Sequence, residues 1–460
     1  MLVNFSDIEK EIEKTYIVSD KGLLKLILAT FIANKLPVSS VWLFIVGASG
    51  SGKTQFIDTI ASCAYVYPIS KVSPNTFLSG FHTGSSTEAS FLMQIPIMKG
   101  AMLLFKDFTT ILSMNSDAKI EILGQMREIY DGTLTKRTGT GENLHWPGRV
   151  GVIAATTDAI YQARSLYSAM GERFIMYNPI TPERKEVAHR AMNNLAKLKD
   201  SQVNIRKLTK AYIEETIKIP EELPTVSEEI QNNIVDIAEM TCTARSIIDR
   251  DPKTKEILHV YLTEMPTRMS EQLLAVAMGL MIINDNAILT EEDEYILYKI
   301  ALDSIASSRR IVMQALTKYS QVETRGLAIE LRYPTATVRR WLEDLVALKV
   351  ADRCRKEKNK DGSESKSSQD LWELKSEYKE LIAKYDKIEI VGGTLEGKDE
   401  LIIFDEDSYK PAHHDNSGEE IVNTEDEFFG DGEYYHNEDG DIPMSQPTLV
   451  KADDLLSQLK

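Results

Sequence analysis

The segment that most constrains this chain is Gly47-Ala48-Ser49-Gly50-Ser51-Gly52-Lys53-Thr54, which matches the pattern GxxxxGK[ST] in full. It lies between an apolar run of strand length, residues 41–46, and a helical pattern that begins near Phe56. In this context the glycines let successive backbone N–H groups turn inward and bind phosphate oxygens. Lys53 is expected to reach the β and γ phosphates of a nucleotide, and the Thr54 hydroxyl to bind Mg²⁺. The alternative, a chance lysine in a glycine- and serine-rich loop, is disfavoured by the flanking strand and helix patterns.

Two further apolar runs follow the first, at residues 101–105 and 150–155. Continuous apolar runs of this length are typical of strands that are buried on both faces, as in parallel sheets. Helical patterns separate the runs, most clearly over residues 117–130. Strands that alternate with helices predict an α/β fold with a wound parallel sheet over residues 37–180.

The rest of the chain divides into four segments. Residues 1–36 and 181–306 carry helical patterns, and the second of these shows no convincing strand. A compact basic segment follows at residues 307–392. Residues 393–460 are acidic and poor in aliphatic runs, which predicts a disordered tail.

The tail accounts for most of the net charge of −17. Residues 396–460 hold nineteen Asp and Glu against four Lys, a net charge of −15, which leaves −2 for the preceding 395 residues. The body of the protein is therefore close to neutral. The tail could be a solubiliser, a DNA mimic that competes for the basic segment, or a peptide that binds an unidentified protein partner.

The three cysteines, Cys63, Cys242 and Cys354, lie far apart and form no CxxC pair or cluster with His. This spacing disfavours a disulfide framework or a zinc site and fits a reducing compartment. The most apolar early stretch, residues 24–45, is interrupted by polar residues and a proline, and Met1 is not followed by a basic signal peptide. We therefore expect a cytoplasmic protein with no membrane partner.

Polar residues follow the second and third apolar runs. Asp107 comes shortly after the second run, where a carboxylate can orient the ligands of a Mg²⁺ ion. Thr156 and Thr157 end the third run, where a hydroxyl could hold the attacking water near the γ phosphate. The alternatives are a surface acid at a strand end and threonines that cap a strand.

In this order the motifs resemble those of the AAA+ superfamily over residues 37–300. The chain is similar to the MCM-like ATPases of phages and mobile elements at the segments Trp42-Leu43-Phe44-Ile45-Val46-Gly47, Lys106-Asp107-Phe108-Thr109-Thr110-Ile111-Leu112-Ser113, Arg127-Glu128-Ile129-Tyr130-Asp131-Gly132 and Gly171-Glu172-Arg173-Phe174. The resemblance implies ATP and Mg²⁺ as cofactors, a P-loop core over residues 37–180 and a helical lid over residues 181–306.

The resemblance also implies roles for single residues. Thr157 corresponds to the sensor 1 position of AAA+ proteins. Arg173 lies in the arginine-finger region, where an Arg projects into the site of a neighbouring subunit, although it could instead pair with Glu172 or another acid. Arg268, at the start of a predicted lid helix, corresponds to sensor 2, and Arg245 is a rival for that position. The main alternative for Arg268 is a surface arginine with no such role.

One position departs from the family pattern. Most AAA+ domains follow the Asp of the second core strand with a Glu that activates the attacking water, whereas this chain has Phe108. Glu121 or Glu128, in the next predicted helix, are the candidate replacements. The sequence thus predicts nucleotide binding more directly than hydrolysis.

The segment between the second and third core strands, residues 131–141, alternates Thr and Leu between glycines, which predicts a β-hairpin. In MCM-like and enhancer-binding AAA+ proteins, a hairpin at this place grips DNA or another substrate in the central pore. Lys136 and Arg137 are its candidate phosphate contacts. A solvated turn with two surface cations is the alternative.

The basic segment resembles a winged helix over residues 323–374. Two short helices and two extended segments flank a polar loop, and the second helix of such a module enters the DNA major groove. The predicted phosphate contacts are Arg339, Arg340, Arg353 and Arg355. Winged helices also mediate protein contacts, which remains the alternative.

The resemblance, together with the basic winged-helix segment, implies an AAA+ ATPase that forms a homo-oligomeric ring such as a hexamer and acts on DNA. The resemblance implies a helicase or helicase loader in the replication of a phage or mobile element. Two alternatives belong to other classes: a DNA-binding regulator that uses ATP as a switch, and a protein remodeller with the winged helix as adaptor.

Overall fold

The computed structural model describes residues 2–79, 90–97, 99–137, 143–162, 173–355 and 370–385. Within the described part, the strands up to residue 177 are β1 (Trp42–Val46), β2 (Val66–Ile69), β3 (Ala101–Phe105), β4 (Leu134–Arg137), β5 (Asn143–Trp146), β6 (Val150–Thr156) and β7 (Ile175–Tyr177). The accompanying helices are α1 (Phe5–Glu13), α2 (Lys21–Ala33), α3 (Lys53–Ile57), α4 (Thr109–Leu112) and α5 (Ser116–Tyr130). Helices therefore form where the sequence predicts them in residues 1–36.

Five of these strands form a parallel sheet in the order β2-β3-β6-β1-β7. Every residue of β1 and β3 is buried, because successive side chains enter two apolar layers on opposite faces. Leu43 and Ile45 lie in the layer that contains α2, and Trp42 and Phe44 lie in the layer that contains α5. The predicted α/β fold with buried parallel strands is confirmed.

The parallel strands give the sheet two distinct ends. The residues that follow β1, β3 and β6 lie at its carboxyl end, and the residues that precede β1, β6 and β7 lie at its amino end. At 3.3 Å per residue, the five residues of β1 separate the two ends by about 16 Å. In open α/β sheets, ligands bind outside the carboxyl ends of the strands.

Helices dominate the next part of the chain: α6 (Arg184–Asn193), α7 (Leu198–Ala211), α8 (Glu228–Arg245), α9 (Thr267–Asn284), α10 (Glu291–Asp303) and α11 (Ser307–Leu316), with a π-helical turn at Tyr212–Thr216. α9 packs tightly on α2, since a Cβ on Gly279 would lie only 2.3 Å from the carbonyl oxygen of Ala29. This contact joins the helical part to the face of the sheet that α2 covers. No helix among the described residues is long and apolar enough to cross a membrane.

The expectation that residues 181–306 contain no strand is wrong. β8 (Ile248–Arg250) and β9 (Ile257–Val260) form an antiparallel hairpin between α8 and α9. Both strands are short, and β9 is mostly exposed. They therefore lack the apolar alternation by which a half-buried strand is recognised in a sequence.

The C-terminal part contains β10 (Val322–Glu323), α12 (Thr324–Leu331), α13 (Thr335–Ala347), β11 (Ala351–Arg355), β12 (Asp370–Leu374) and α14 (Ser376–Tyr385). The three strands form an antiparallel sheet in the order β10-β12-β11. Pro334 occupies the N-cap position of α13, and Thr335 is its first helical residue. The polar loop at 356–369 and the acidic tail lie outside the described residues, as do the hairpin tip at 138–142 and Gly171-Glu172.

Candidate functional site

The glycine-rich loop lies between β1 and α3 at the carboxyl end of the sheet. Its first residue is tied to the neighbouring strand, because the Gly47 N–H donates to the Thr156 carbonyl at 3.2 Å. Gly50 and Gly52 have φ angles of 78° and 86°. Only glycine adopts this left-handed backbone readily, so these two residues permit the sharp turns of the loop. α3 then starts at Lys53.

Lys53 occupies the inside of the loop. Its ammonium donates hydrogen bonds to the carbonyl oxygens of Gly47 and Ala48, both at 2.6 Å. Burial lowers the pKa of Lys53 from its ordinary value, and the Asp107 and Asp158 carboxylates act in the opposite direction. The loop thus surrounds a partly desolvated cation, which is the group needed to attract an anion.

Thr54 and Asp107 offer oxygen ligands beside the loop. The Thr54 hydroxyl donates to the Lys106 carbonyl at 3.4 Å, which places it next to the residue that precedes Asp107. The Asp107 side chain is exposed and accepts a hydrogen bond from the Thr109 N–H at 2.9 Å. A hydroxyl and a carboxylate are ligands that suit Mg²⁺, so these residues fit the predicted metal site.

Phe108 is a core residue. Its side chain is fully buried, and its ring centroid lies 4.7 Å from that of Phe44 and 5.5 Å from that of Phe105. The Phe108 N–H donates to the Ala155 carbonyl at 2.8 Å, which fixes the backbone against β6. This position therefore supplies apolar packing and no carboxylate.

The two candidate replacements for the missing glutamate lie on α5. Glu121 accepts a hydrogen bond from Gln125 at 3.2 Å and pairs with Lys136 at 3.5 Å. Glu128 is exposed two residues before the end of α5, which reaches the amino end of the sheet at Tyr130. Glu121 is thus the nearer of the two to the carboxyl end, but it is already paired.

The end of β6 carries a residue that the sequence reasoning missed. Thr157 is half-buried directly after the strand, as expected, and Asp158 follows it with an exposed side chain. Asp158 acts electrostatically on Lys53, as Asp107 does. The signal that could have identified it is an acid immediately after the threonines of the third apolar run.

Arg173 and Arg268 lie at the amino end of the sheet. The Arg173 guanidinium is buried, pairs with Asp131 at 2.7 Å, and lies 5.6 Å from the centroid of the Tyr130 ring. Arg268 lines a cleft of about 860 Å³ together with Tyr130, Asp131, Arg149 and other residues. The structure thus brings the two arginines together around Tyr130, at the opposite end of the sheet from the glycine-rich loop.

Arg245, the rival for the position of Arg268, reaches the same carboxylate. Arg268 pairs with Glu264 at 2.7 Å, and Arg245 pairs with Glu264 at 2.8 Å. Arg245 is buried, whereas Arg268 is partly exposed in the cleft. Of the two, Arg268 is therefore the one placed to meet a group that enters the cleft.

A hairpin follows α5 as predicted, with β4 and β5 paired in antiparallel fashion, but β5 lies beyond the predicted segment of residues 131–141. Lys136 is bound within the chain, since its ammonium donates to the Asn75 side chain at 2.9 Å and to the Pro74 carbonyl at 3.2 Å. Arg137 has an exposed side chain. Of the two predicted phosphate contacts, Arg137 is thus the more accessible.

The predicted DNA contacts of the C-terminal part differ in their surroundings. Arg353 pairs with Asp370 at 2.6 Å, and this hydrogen bond raises the pKa of Arg353. Arg339 lies 3.2 Å from the same carboxylate and 3.2 Å from Glu343. Arg340 is exposed on α13. The side chain of Arg355 lies outside the described part of the chain.

Comparison with models of known protein families finds no match for this chain, and comparison with functionally characterised proteins finds none either. The functional assignment therefore depends on the geometry of the site.

Proposed function

We propose that this chain is an AAA+ ATPase that binds ATP at the carboxyl end of its parallel sheet. The main support for this proposal is the conformation of the loop at residues 47–54. The loop lies between a fully buried strand and a helix and surrounds the Lys53 ammonium. The ammonium now binds two carbonyl oxygens, which phosphate oxygens can replace. The backbone N–H groups of the loop and of the start of α3 add further donors.

Thr54 and Asp107 are the residues that would hold Mg²⁺ in this site. When bound with ATP, the ion neutralises charge on the phosphate oxygens. Thr157 and Asp158 follow β6, the strand next to β1 in the sheet, and so lie beside the loop. We assign Thr157 to holding the attacking water and Asp158 to accepting its proton, because Phe108 is unable to do so.

The positions of the arginines support a ring. Arg173 and Arg268 lie at the opposite end of the sheet from the loop of their own chain, and the two ends are separated by the length of β1, about 16 Å. They can complete a nucleotide site only if a second copy presents its loop to the cleft. Arg suits this role because its planar, permanently charged group stabilises the charge that builds up on a transferring phosphoryl group. To take this role, Arg173 must release the Asp131 carboxylate and bind the phosphoryl group.

The part of the chain after residue 180 supports the remaining assignments. Helices α6 to α10 follow the sheet in the place of the AAA+ lid, and α9 covers α2. The arrangement of α12, α13 and the three-stranded sheet supports a winged helix, with Arg340 exposed on its second helix. Together with Arg137 on the hairpin, this favours DNA as the substrate of a helicase or helicase loader.

One observation favours a second function, an ATP-dependent switch that regulates DNA binding. The buried Phe108 stands where most AAA+ proteins have the glutamate on which their hydrolysis depends. A chain that binds ATP and turns it over slowly would act through the assembled and disassembled states of its ring. The two functions share the same nucleotide site.

Mixing of two inactive variants tests the split site. Lys53→Ala removes the cation inside the loop and Arg268→Ala removes the cleft arginine assigned to the neighbouring site, so each variant alone should lose ATP turnover. In a mixed ring, some intact loops face intact clefts, and turnover should return when the two proteins are combined. Failure of the mixture to recover activity, with a wild type that hydrolyses ATP, would contradict the assignment of Arg268 to the site of a neighbouring copy.

A further inference from the structure

An exposed apolar surface, here called the helix surface, lies on α6, α7 and the turn between them. It consists of Met192, Leu195 and Val203, which are 64%, 75% and 57% exposed. α6 is ten residues long and contains no buried residue, whereas α7 buries its other side through Ile205 and Thr209. A helix of this length is marginal in water without packing. The helix surface thus has the character of an interface that is uncovered in a single chain.

A second exposed apolar surface, here called the loop surface, lies on β9 and the residues that lead to α9. It consists of Leu258, Tyr261, Leu262 and Met265, which are 64%, 46%, 99% and 74% exposed. The hairpin that bears it is held in place, because Arg250 pairs with Asp344 on α13 at 2.7 Å. Apolar side chains in such a row, fixed on an ordered support, mark a contact surface.

The two surfaces border the two halves of the split nucleotide site. α6 follows β7 at the carboxyl end of the sheet. Arg206, one turn after Val203, donates to Asp58, and Asp58 pairs with Lys106 at 2.9 Å, beside Thr54. These contacts connect the Val203 end of the helix surface to the residues beside the glycine-rich loop. The loop surface is adjacent to the cleft, because Met265 lines the cleft together with Arg268.

We propose that the helix surface of one copy binds the loop surface of the next copy in a head-to-tail assembly. This inference rests on the proposed function, in which the cleft of one copy completes the nucleotide site of another. An approach that brings Arg268 to the loop of a neighbour also brings Met265 and the residues before it to the surroundings of that loop. Head-to-tail contacts join two different surfaces, and they generate a ring when the rotation closes.

Charge and chemistry favour a second copy over DNA as the occupant. Residues 183–210 hold eight Arg and Lys against three Asp and Glu, whereas residues 249–271 hold four against five. The two regions are thus opposite in net charge, at +5 and −1. A phosphate backbone would bind the cations of α6 and α7 but would leave the exposed Met192 and Leu195 side chains in water. The apolar loop surface of a second copy would cover these side chains.

Assembly of full-length variants tests the contact. Leu195→Glu and Leu262→Glu each place a charge on one surface, and both side chains are exposed, so we expect both proteins to fold with the wild-type melting temperature. With Mg²⁺ and a slowly hydrolysed ATP analogue, analytical ultracentrifugation should show that each variant needs at least about tenfold more protein than wild type to assemble. Binding of a fluorescent ATP analogue should be unchanged. Ile329→Glu, at a residue 64% exposed on α12, is the matched control and should assemble like wild type.

Crosslinking gives a second readout. In a Cys354→Ser background, the double variant Leu195→Cys/Leu262→Cys should form covalent oligomers with a short thiol crosslinker and nucleotide, whereas each single variant should give only monomers on a denaturing gel. A wild type that assembles while both Glu variants assemble equally well would overturn the contact and leave the ring intact. A wild type that stays monomeric with bound nucleotide would overturn the ring and the contact together. Loss of DNA binding without loss of assembly in Leu195→Glu would assign the helix surface to DNA instead.

Discussion

The Arg173 guanidinium donates hydrogen bonds to both carboxylate oxygens of Asp131, at 3.0 and 2.7 Å from its Nη2. Arg173 is only 6% exposed, and Asp131 is the C-cap residue of α5. The pair therefore anchors β7 to the end of α5. In the proposed ring, the same arginine leaves this carboxylate when a phosphate of a neighbouring copy enters the cleft.

Asp131→Asn should destabilise the chain by about 2 kcal/mol, because a buried guanidinium loses the charge of its partner. Chemical denaturation measures this difference. The matched control is Asp352→Asn, at an exposed acid on β11, which should change the free energy of unfolding by less than about 0.5 kcal/mol. Equal stabilities for the two variants would show that the Arg173 pair is not structural.

Phe108→Glu should not create an efficient catalytic base, although it restores the residue that most AAA+ proteins have. It places a carboxylate among Phe44, Phe105 and Phe174, and should cost at least about 3 kcal/mol of stability or prevent folding. Phe108→Leu, which keeps the site apolar, should be milder. Thermal unfolding separates the two, and a stable Phe108→Glu protein with faster turnover would contradict the core role of this residue.

Asp158→Asn should lower the ATP turnover number by about 100-fold while leaving ATP affinity within a few fold of wild type. The reason is that Asp158 is the exposed carboxylate beside Lys53 that is not assigned to Mg²⁺. Glu121→Gln should have a smaller effect, since Glu121 is paired with Lys136. Steady-state kinetics on both variants measure this, and a reversed order would transfer the role of base to Glu121.

Affinity for ATP should fall at alkaline pH because of Lys53. Its pKa is lowered from the ordinary value of 10.5, chiefly by burial, so the ammonium loses its proton at a lower pH than an exposed lysine. The charged form binds phosphate, so binding should be retained below the lowered pKa and lost as the pH rises through it. Calorimetric titration above about pH 8, where phosphate is fully ionised, measures the decline. Lys53→Arg should show a flat profile, because guanidinium stays charged.

The features that the sequence predicts well are those with a local cause. The glycine-rich loop is recognisable in the sequence because its turns require glycines at fixed positions. Gly50 and Gly52 have positive φ angles, and the loop lies between a fully buried strand and a helix. The parallel sheet was recognisable because strands buried on both faces read as continuous apolar runs. The hairpin of β4 and β5 was recognisable from turn residues that flank an alternating pattern.

The features that the sequence did not predict depend on contacts between distant residues. Arg173 and Asp131 are 42 residues apart, and nothing local shows that they are paired. Lysine is a residue type that commonly contacts DNA phosphates, yet the Lys136 ammonium donates to Asn75, which precedes it by 61 residues. The hairpin of β8 and β9 was missed because β9 is mostly exposed and carries no burial pattern. The periodicity of apolar residues indicates which positions are buried, but it does not indicate which polar side chains contact each other.

In the proposed function, the loop at residues 47–54 drives work on DNA. The most direct test is ATP hydrolysis by the purified full-length protein, alone and with single- or double-stranded DNA, with Lys53→Ala as the blank. We expect turnover that DNA stimulates and that disappears in Lys53→Ala, since this variant removes the cation inside the loop. Tight ATP binding without turnover under any of these conditions would contradict the ATPase and leave the ATP-dependent switch.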